Sequence, residues 1–250
     1  IYVLDARAPL SCFNPKFQEL IGFKPIIYVL NKNDLADESR TLFFKNKLTS
    51  DKSDCIVLNS TQSGTAKILE KHIKNLAKEK IERYELKGVK IILKSMVVGV
   101  PNSGKSSLVN NLCKEAKALT GNKPGVTRAK QWVKVSQFLE VLDTPGTLWP
   151  SFDNDKVAKN LAYIGSIKEE VLDANALTLD FISDVEKLYP GTILKRYGII
   201  TDEKSALEIL EEIAKSRKFL IRGGEIDYDR ACLAVLDDFR KGRLGRISLE

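Results

Sequence analysis

Eight residues constrain this chain more than any other feature: Gly99-Val100-Pro101-Asn102-Ser103-Gly104-Lys105-Ser106. They match G-x-x-x-x-G-K-[ST] and stand between an apolar run, Ser95 to Val98, and a helical stretch, Ser106 to Cys113. Strand, glycine-rich turn and helix in that order aim a nest of backbone N–H groups at one point, at the positive end of the helix. That is a phosphate cradle, and the context of strand and helix is what separates it from an ordinary glycine turn. The spacing gives Gly99, Pro101, Asn102, Ser103 and Gly104 to the cradle. It sends Lys105 to the β- and γ-phosphates, the Ser106 hydroxyl to Mg²⁺ and Ser107 to the α-phosphate.

Such a loop needs a parallel sheet around it, and the rest of the first 150 residues supplies one. Ile1 to Leu4, Ile26 to Leu30, Cys55 to Leu58, Ser95 to Val98 and Phe138 to Leu142 are short apolar runs, each ending in a polar cluster. Continuous Ile/Val/Leu runs suit strands buried on both faces. Between them lie helical patterns; Thr65 to Arg83 places Ile68, Leu69, Ile73, Leu76, Ala77 and Ile81 on one stripe. Strand–helix alternation predicts an α/β domain over 1–150: a mostly parallel sheet, helices on both faces, ligand at the strands' carboxyl ends. Beyond Pro150 strand-like runs thin out. Val157 to Ile164, Ala176 to Leu188, Lys204 to Ser216 and Tyr228 to Arg240 read as helices separated by Pro190-Gly191 and Gly223-Gly224. Residues 151–250 are therefore expected to form a small all-α domain.

The polar clusters carry the remaining chemistry. Asn31-Lys32-Asn33-Asp34 matches N-K-x-D. The two oxygens of Asp34 can accept from the N1–H and N2–H₂ of guanine, whereas adenine would leave the carboxylate unpaired. The Lys32 stem can pack on the base and the Asn31 amide can bond its N7 side. By itself the tetrapeptide is also a good turn; with the phosphate loop it specifies a guanine nucleotide. Asn59-Ser60 can present backbone N–H to the guanine O6. Asp143-Thr144-Pro145-Gly146 ends the last strand, with Asp143 suited to hold Mg²⁺ through water and the Gly146 N–H to meet the γ-phosphate. Thr127, in Pro124-Gly125-Val126-Thr127-Arg128, stands between these motifs and is the candidate second hydroxyl on Mg²⁺. Thr147 and Leu148 follow Gly146, so no Gln orients the attacking water there. Catalysis then falls to Lys105, Thr127 and Gly146, and slow unaided hydrolysis is expected.

The order of motifs is unusual: N-K-x-D and Asn-Ser precede the phosphate loop, so the domain reads as circularly permuted and the switch segment leads straight into the helices. Asp5-Ala6-Arg7-Ala8-Pro9, the two nucleotide motifs, Gln131 to Val135, Leu142 to Pro150, Tyr189-Pro190, Arg196-Tyr197-Gly198, Gly223-Gly224 and Asp238 to Arg246 carry a close resemblance over nearly the whole chain. It resembles the ribosome biogenesis GTPase A family, in the permuted YlqF/YawG group of P-loop GTPases. The resemblance implies GTP hydrolysis to GDP and phosphate, with Mg²⁺, by a cytoplasmic factor that binds the maturing large ribosomal subunit and leaves after hydrolysis. It also implies a histidine in an N-terminal segment that aids hydrolysis and is not in this sequence. Asn102 resembles the asparagine of potassium-activated GTPases, which makes it the candidate K⁺ site.

Composition agrees with that reading. The formal charge is +7 and the pI about 9.1, compatible with an RNA partner. Eight Lys/Arg against five Asp/Glu lie between Arg217 and Arg246, and Lys241, Arg243 and Arg246 are the candidate RNA contacts. The plain alternative for them is a solvated basic helix end. A second reading of the whole keeps the nucleotide site but makes the chain a regulatory GTPase whose helices bind a protein. Cys12, Cys55, Cys113 and Cys232 form no C-x-x-C, which argues for buried thiols rather than zinc or disulfides. His72, on a helical pattern, reads as a surface or boundary residue. No apolar run approaches a bilayer span, so no membrane partner is expected, and the molecule is expected to be a monomer. The chain opens without Met inside an apolar run, which suggests a preceding segment.

Overall fold

The computed structural model describes residues 1–120, 132–149, 152, 154–167 and 173–250. Thr127 and the rest of 121–131 lie outside them, as does the 150/151 boundary expected from sequence. The strands are β1 Tyr2–Asp5, β2 Ile26–Asn31, β3 Ser53–Val57, β4 Leu93–Val97, β5 Trp132–Lys134 and β6 Leu139–Asp143. β1, β2 and β3 pair in parallel, β4 pairs β6 in parallel, and β5 adds to β6 antiparallel at the edge. A bridge between Tyr2 and Val98 joins the two ladders, with Val3 N–H donating to Val98 O and Val98 N–H to Ile1 O, each at 2.9 Å. The spatial order is thus β3-β2-β1-β4-β6-β5, and the two strands whose ends carry Asp5 and the phosphate loop sit side by side at its centre.

Alternation along the central strands divides the interior in two. Val3, Ile27, Val29 and Ile56 face a cluster closed by Leu69 and Ile73 of α3 (Thr65–Leu76) and by Leu108 and Leu112 of α5 (Lys105–Thr120). Tyr2, Leu4, Leu30 and Cys55 face the opposite way. They share a cluster with Phe44 of α2 (Glu38–Leu48), Leu161 of α6 (Asp155–Tyr163), Phe181 of α7 (Ala174–Leu188), Leu210 of α9 (Ala206–Ser216) and Phe239 of α10 (Tyr228–Arg240). The α/β sheet and the C-terminal helices therefore share one core across residue 150.

The strand–helix alternation left two helices without bounds, and they are α1 Pro15–Ile21 and α2; the six-residue α8 Thr192–Tyr197 was not expected from sequence. The stripe from Thr65 to Arg83 is interrupted at Ala77 (φ −99°, ψ 11°), which separates α3 from α4 Lys78–Glu85. The short edge strand β5 was also not expected; three residues are too few to show a period. α2, α6, α7, α9 and α10 start at side-chain caps Asp37, Asn154, Asp173, Ser205 and Asp227, with Ser205 and Glu208 forming a capping box. No disulfide joins the cysteines among the described residues, and Cys12, Cys55 and Cys232 are buried. His72 is half-buried on α3, its Nδ1 2.5 Å from Asp54 Oδ2.

Candidate functional site

The loop after β4 turns back through positive φ at Gly99 (150°), Asn102 (56°) and Gly104 (96°). At Gly99 a Cβ would lie 2.3 Å from Val3 O, so only glycine allows the loop to pass β1 this closely. Ser103 Oγ donates to Val100 O at 2.9 Å and pins the turn from within. Lys105 Nζ donates to the same carbonyl at 2.6 Å. Burial lowers the Lys105 amine to about 8, against a smaller opposing pull from Asp143. Ser106 and Ser107 are exposed on the first turn of α5, where its N–H groups have no helical acceptor.

Asn31, at the end of β2, is buried and ties two motifs together. Its Nδ2 donates to Ser103 O at 2.8 Å and its Oδ1 accepts from Ser60 N–H at 2.9 Å. The amide expected to meet the base therefore holds the phosphate loop and the Asn59-Ser60 turn at fixed spacing. A Cβ on Gly104 would lie 2.0 Å from that Nδ2. Lys32 takes a left-handed turn (φ 58°) that sends Nζ back to Asn102 O at 2.6 Å. Asp34 is exposed beyond it. Asn59 Oδ1 accepts from Thr61 N–H and Oγ1, at 2.9 and 2.6 Å, fixing the turn that carries Ser60.

Asp143 ends β6. Its Oδ1 is buried with no hydrogen-bond partner among the described residues, and burial raises its carboxyl despite Lys105 nearby. An orphaned carboxylate oxygen beside a buried ammonium is a donor suited to a hydrated divalent cation. Thr144 Oγ1 donates to Val97 O, and Thr147 N–H donates to Gly99 O at 3.3 Å, so this segment runs along the phosphate loop. Gly146 packs so near that a Cβ would lie 2.8 Å from both Lys105 Nζ and the Pro101 Cα.

Asp5 and Arg7 gave no chemical signal of their own in sequence. Asp5 is fully buried directly beneath Lys32, with Oδ2 2.9 Å from Nζ. Burial alone would raise its carboxyl; Arg7, then Lys32, outweigh burial and hold it well below the usual range. The candidate RNA residues have protein partners. Lys241 Nζ is 2.9 Å from Asp237, Arg243 Nη1 2.8 Å from Asp238, and Arg246 donates to Ala36 O and Asn33 O at 2.7 and 3.0 Å. Each keeps about half its side chain in solvent (56%, 46% and 46%). Arg246 thus touches the N-K-x-D loop itself. No group of three or more His, Cys, Asp or Glu is placed to hold a metal ion among the described residues. No helix of theirs is long and apolar enough to cross a membrane.

Comparison with known proteins returns the same assignment. A family profile described as a 50S ribosome-binding GTPase matches residues 94–221. The chain is 38% identical over 249 residues to the ribosome biogenesis GTPase A of Bacillus licheniformis, covering 99% of this chain and 88% of that one. It is 29% identical over 256 residues to that of Thermotoga maritima, covering 100% and 84%. The crystal structure of GNP-bound YlqF from T. maritima superposes with a TM-score of 0.68 at 25% identity, over 100% of this chain and 90% of that one. The GDP-bound T. maritima YlqF does so at 0.66, over 99% and 92%.

Proposed function

The chain belongs to the ribosome biogenesis GTPase A family, and from that membership we propose that it is a GTP-hydrolysing assembly factor for the large ribosomal subunit. That it is a GTPase follows from the family. One observation carries the nucleotide site: the Asn31 side chain binds Ser103 and Ser60 at once, so the guanine motif, the Asn-Ser turn and the phosphate loop share one joint.

Asp34 reads the guanine edge and the Lys32 stem covers the base. The loop 99–104 and the start of α5 hold the phosphates, with Lys105 leaving the Val100 carbonyl for the β- and γ-oxygens. Ser106, Thr127 and, through water, Asp143 form the Mg²⁺ set; when bound, the ion neutralises phosphate charge. The buried, unpartnered Asp143 Oδ1 supports that assignment. Gly146 lies against Lys105 and Pro101, where its N–H can sense the γ-phosphate, and the residues after it lead into the helices that share the sheet's core. Asn102 is the K⁺ candidate. With no Gln after Gly146, hydrolysis depends on help from the particle, from K⁺ or from a histidine supplied elsewhere. Lys241, Arg243 and Arg246 are the proposed rRNA contacts of a helical unit over 151–250. The protein acts as a cytoplasmic monomer.

The test is GTP turnover with and without purified large subunits, in K⁺ and in Na⁺, at two salt concentrations. Salt-sensitive stimulation is expected. No stimulation of a chain that binds GTP tightly would favour a regulatory GTPase with a protein partner. The base assignment has its own check. Asp34→Asn replaces an acceptor by a donor and should exchange preference from guanine to xanthine nucleotides, whose C2 oxygen accepts where guanine donates. A loss of about 100-fold in GDP affinity with a matching gain for XDP is expected; unchanged preference would remove Asp34 from the base edge.

A further inference from the structure

The ion pair beneath Lys32 is part of a closed circuit. Asp5 Oδ1 accepts from Arg7 Nε at 2.9 Å and Oδ2 accepts from Arg7 Nη2 at 2.8 Å, while the same Oδ2 lies 2.9 Å from Lys32 Nζ. Arg7 is 1% exposed. Its remaining guanidinium nitrogen donates across 232 residues to Phe239 O at 3.4 Å and lies 3.5 Å from Arg240 O, with the guanidinium 4.8 Å from the Phe239 ring centroid. Those carbonyls belong to the last turn of α10, whose negative dipole end favours a cation; Phe239 O also accepts from Gly242 N–H at 3.0 Å.

From the same turn Arg240 donates to Tyr163 O at 3.0 Å and Ala162 O at 2.8 Å, at the end of α6. Gly165 and Ser166, just beyond the C-cap of α6, reach the phosphate loop. Asn102 Nδ2 donates to Gly165 O at 2.6 Å, and Ser166 Oγ donates to Pro101 O at 2.7 Å. Lys32 Nζ on Asn102 O closes the ring. Lys32 is therefore held from two sides, and both holds run through the C-terminal turn of α10.

We propose that Arg7 is a positioning residue for guanine-nucleotide retention, through which docking of the C-terminal helices fixes the base-covering Lys32. The inference rests on the reading of Asn31 to Asp34 as the base reader. Its physics is that of a shared buried carboxylate. While Arg7 takes both Asp5 oxygens, Asp5 is held still and presents one lone pair to Lys32. Remove the guanidinium and Asp5 must rotate, recruit Lys32 more fully or take up a proton. The first two draw Nζ away from Asn102 and the third frees it from Asp5, so in each case Lys32 loses one of its two holds and its stem loses its fixed place over the base. Loosening of α10, by a partner or by the particle, would act the same way and hasten nucleotide release.

The experiment is the dissociation rate of mant-GDP from the full chain, for the parent, Arg7→Met, Lys32→Met and the double variant. Each single change should speed release about tenfold, within the range of ordinary coupling energies. The double variant should release no faster than Lys32→Met alone, because Arg7 acts through Lys32. Multiplying effects, or an unchanged rate in Arg7→Met, overturn the proposal; a merely structural role for Arg7 would lower thermal stability and give independent effects. Should Arg7→Met fail to fold, Arg240→Ala opens the other arm and must show the same non-additivity with Lys32→Met. A parent chain that does not bind mant-GDP overturns the base reading, and the proposal falls with it; binding with additive effects overturns the proposal alone.

Discussion

Lys105 has two identities that differ by a proton. In the protein its amine sits near 8 because burial disfavours the charge, whereas in an unfolded chain it would sit at its ordinary 10.5. Two consequences follow with opposite signs. Between those values the unfolded chain holds more protons than the folded one, so this group makes the nucleotide-free fold more stable as pH rises through that window. With Lys105 meeting the phosphates as an ammonium, as proposed, binding above about pH 8 must take up a proton and affinity must fall. Calorimetry at pH 9 in two buffers of different ionisation enthalpy should show net proton uptake on GDP binding; none would mean the amine is charged throughout. At this scale the sequence was most informative where chemistry is written in a contiguous motif. Gly99 to Ser106, Asn31 to Asp34 and Asp143 to Gly146 converge as their spacing implied, at the ends of parallel strands. What spacing could not reveal is which atoms face protein: Asn31 spends both amide ends on Ser103 and Ser60. Nor could it pair Arg7 with carbonyls 232 residues away.

Among the elements, α8 and α10 are locked by one carboxylate. Asp238, 5% exposed, accepts from Arg196 Nε at 2.7 Å, Tyr197 hydroxyl at 3.0 Å and Arg243 Nη1 at 2.8 Å. Those donors hold its carboxyl below the ordinary range although burial pushes the other way. Asp238→Ala should cost about 2–3 kcal/mol, because the half-buried Tyr197 hydroxyl loses its acceptor while the two arginines, partly in solvent, are rehydrated. Urea unfolding measures it; a change under about 0.5 kcal/mol would show that water replaces the carboxylate at no loss. α8 itself was legible only at its ends. Gly191 (φ 80°) and Gly198 (φ 75°) bracket six residues, too few for a helical period to declare itself. α10 was readable over its full length from Tyr228 to Arg240, because more than three turns of apolar spacing leave little ambiguity.

The whole molecule has less separation than its composition suggests. The change near residue 150 marks a change of secondary structure, while the core continues across it: Tyr2 and Leu4 of the first strand belong to one cluster with Phe181 and Phe239. Phe181 is fully buried, with ring centroids 5.1 Å from Tyr163 and 4.9 Å from Phe239. Phe181→Ala should remove about 3–5 kcal/mol. The loss should appear equally in tryptophan fluorescence and in far-ultraviolet dichroism, because helices and sheet unfold together. Two separated transitions, only one of them shifted, would contradict this. The motif order also has a temporal meaning. Synthesis in the N-to-C direction delivers β1 well before its neighbour β4, which begins at Leu93, and the carbonyls that receive Arg7 arrive only at Phe239 and Arg240. Ile247 N–H then donates to Leu35 O, and Leu249 N–H to Arg7 O. The loop 31–34 is thus synthesised before the phosphate loop it packs against and is completed only once α10 has emerged, and a truncated product lacking α10 leaves Arg7 paired to Asp5 with its remaining guanidinium nitrogen short of its acceptors.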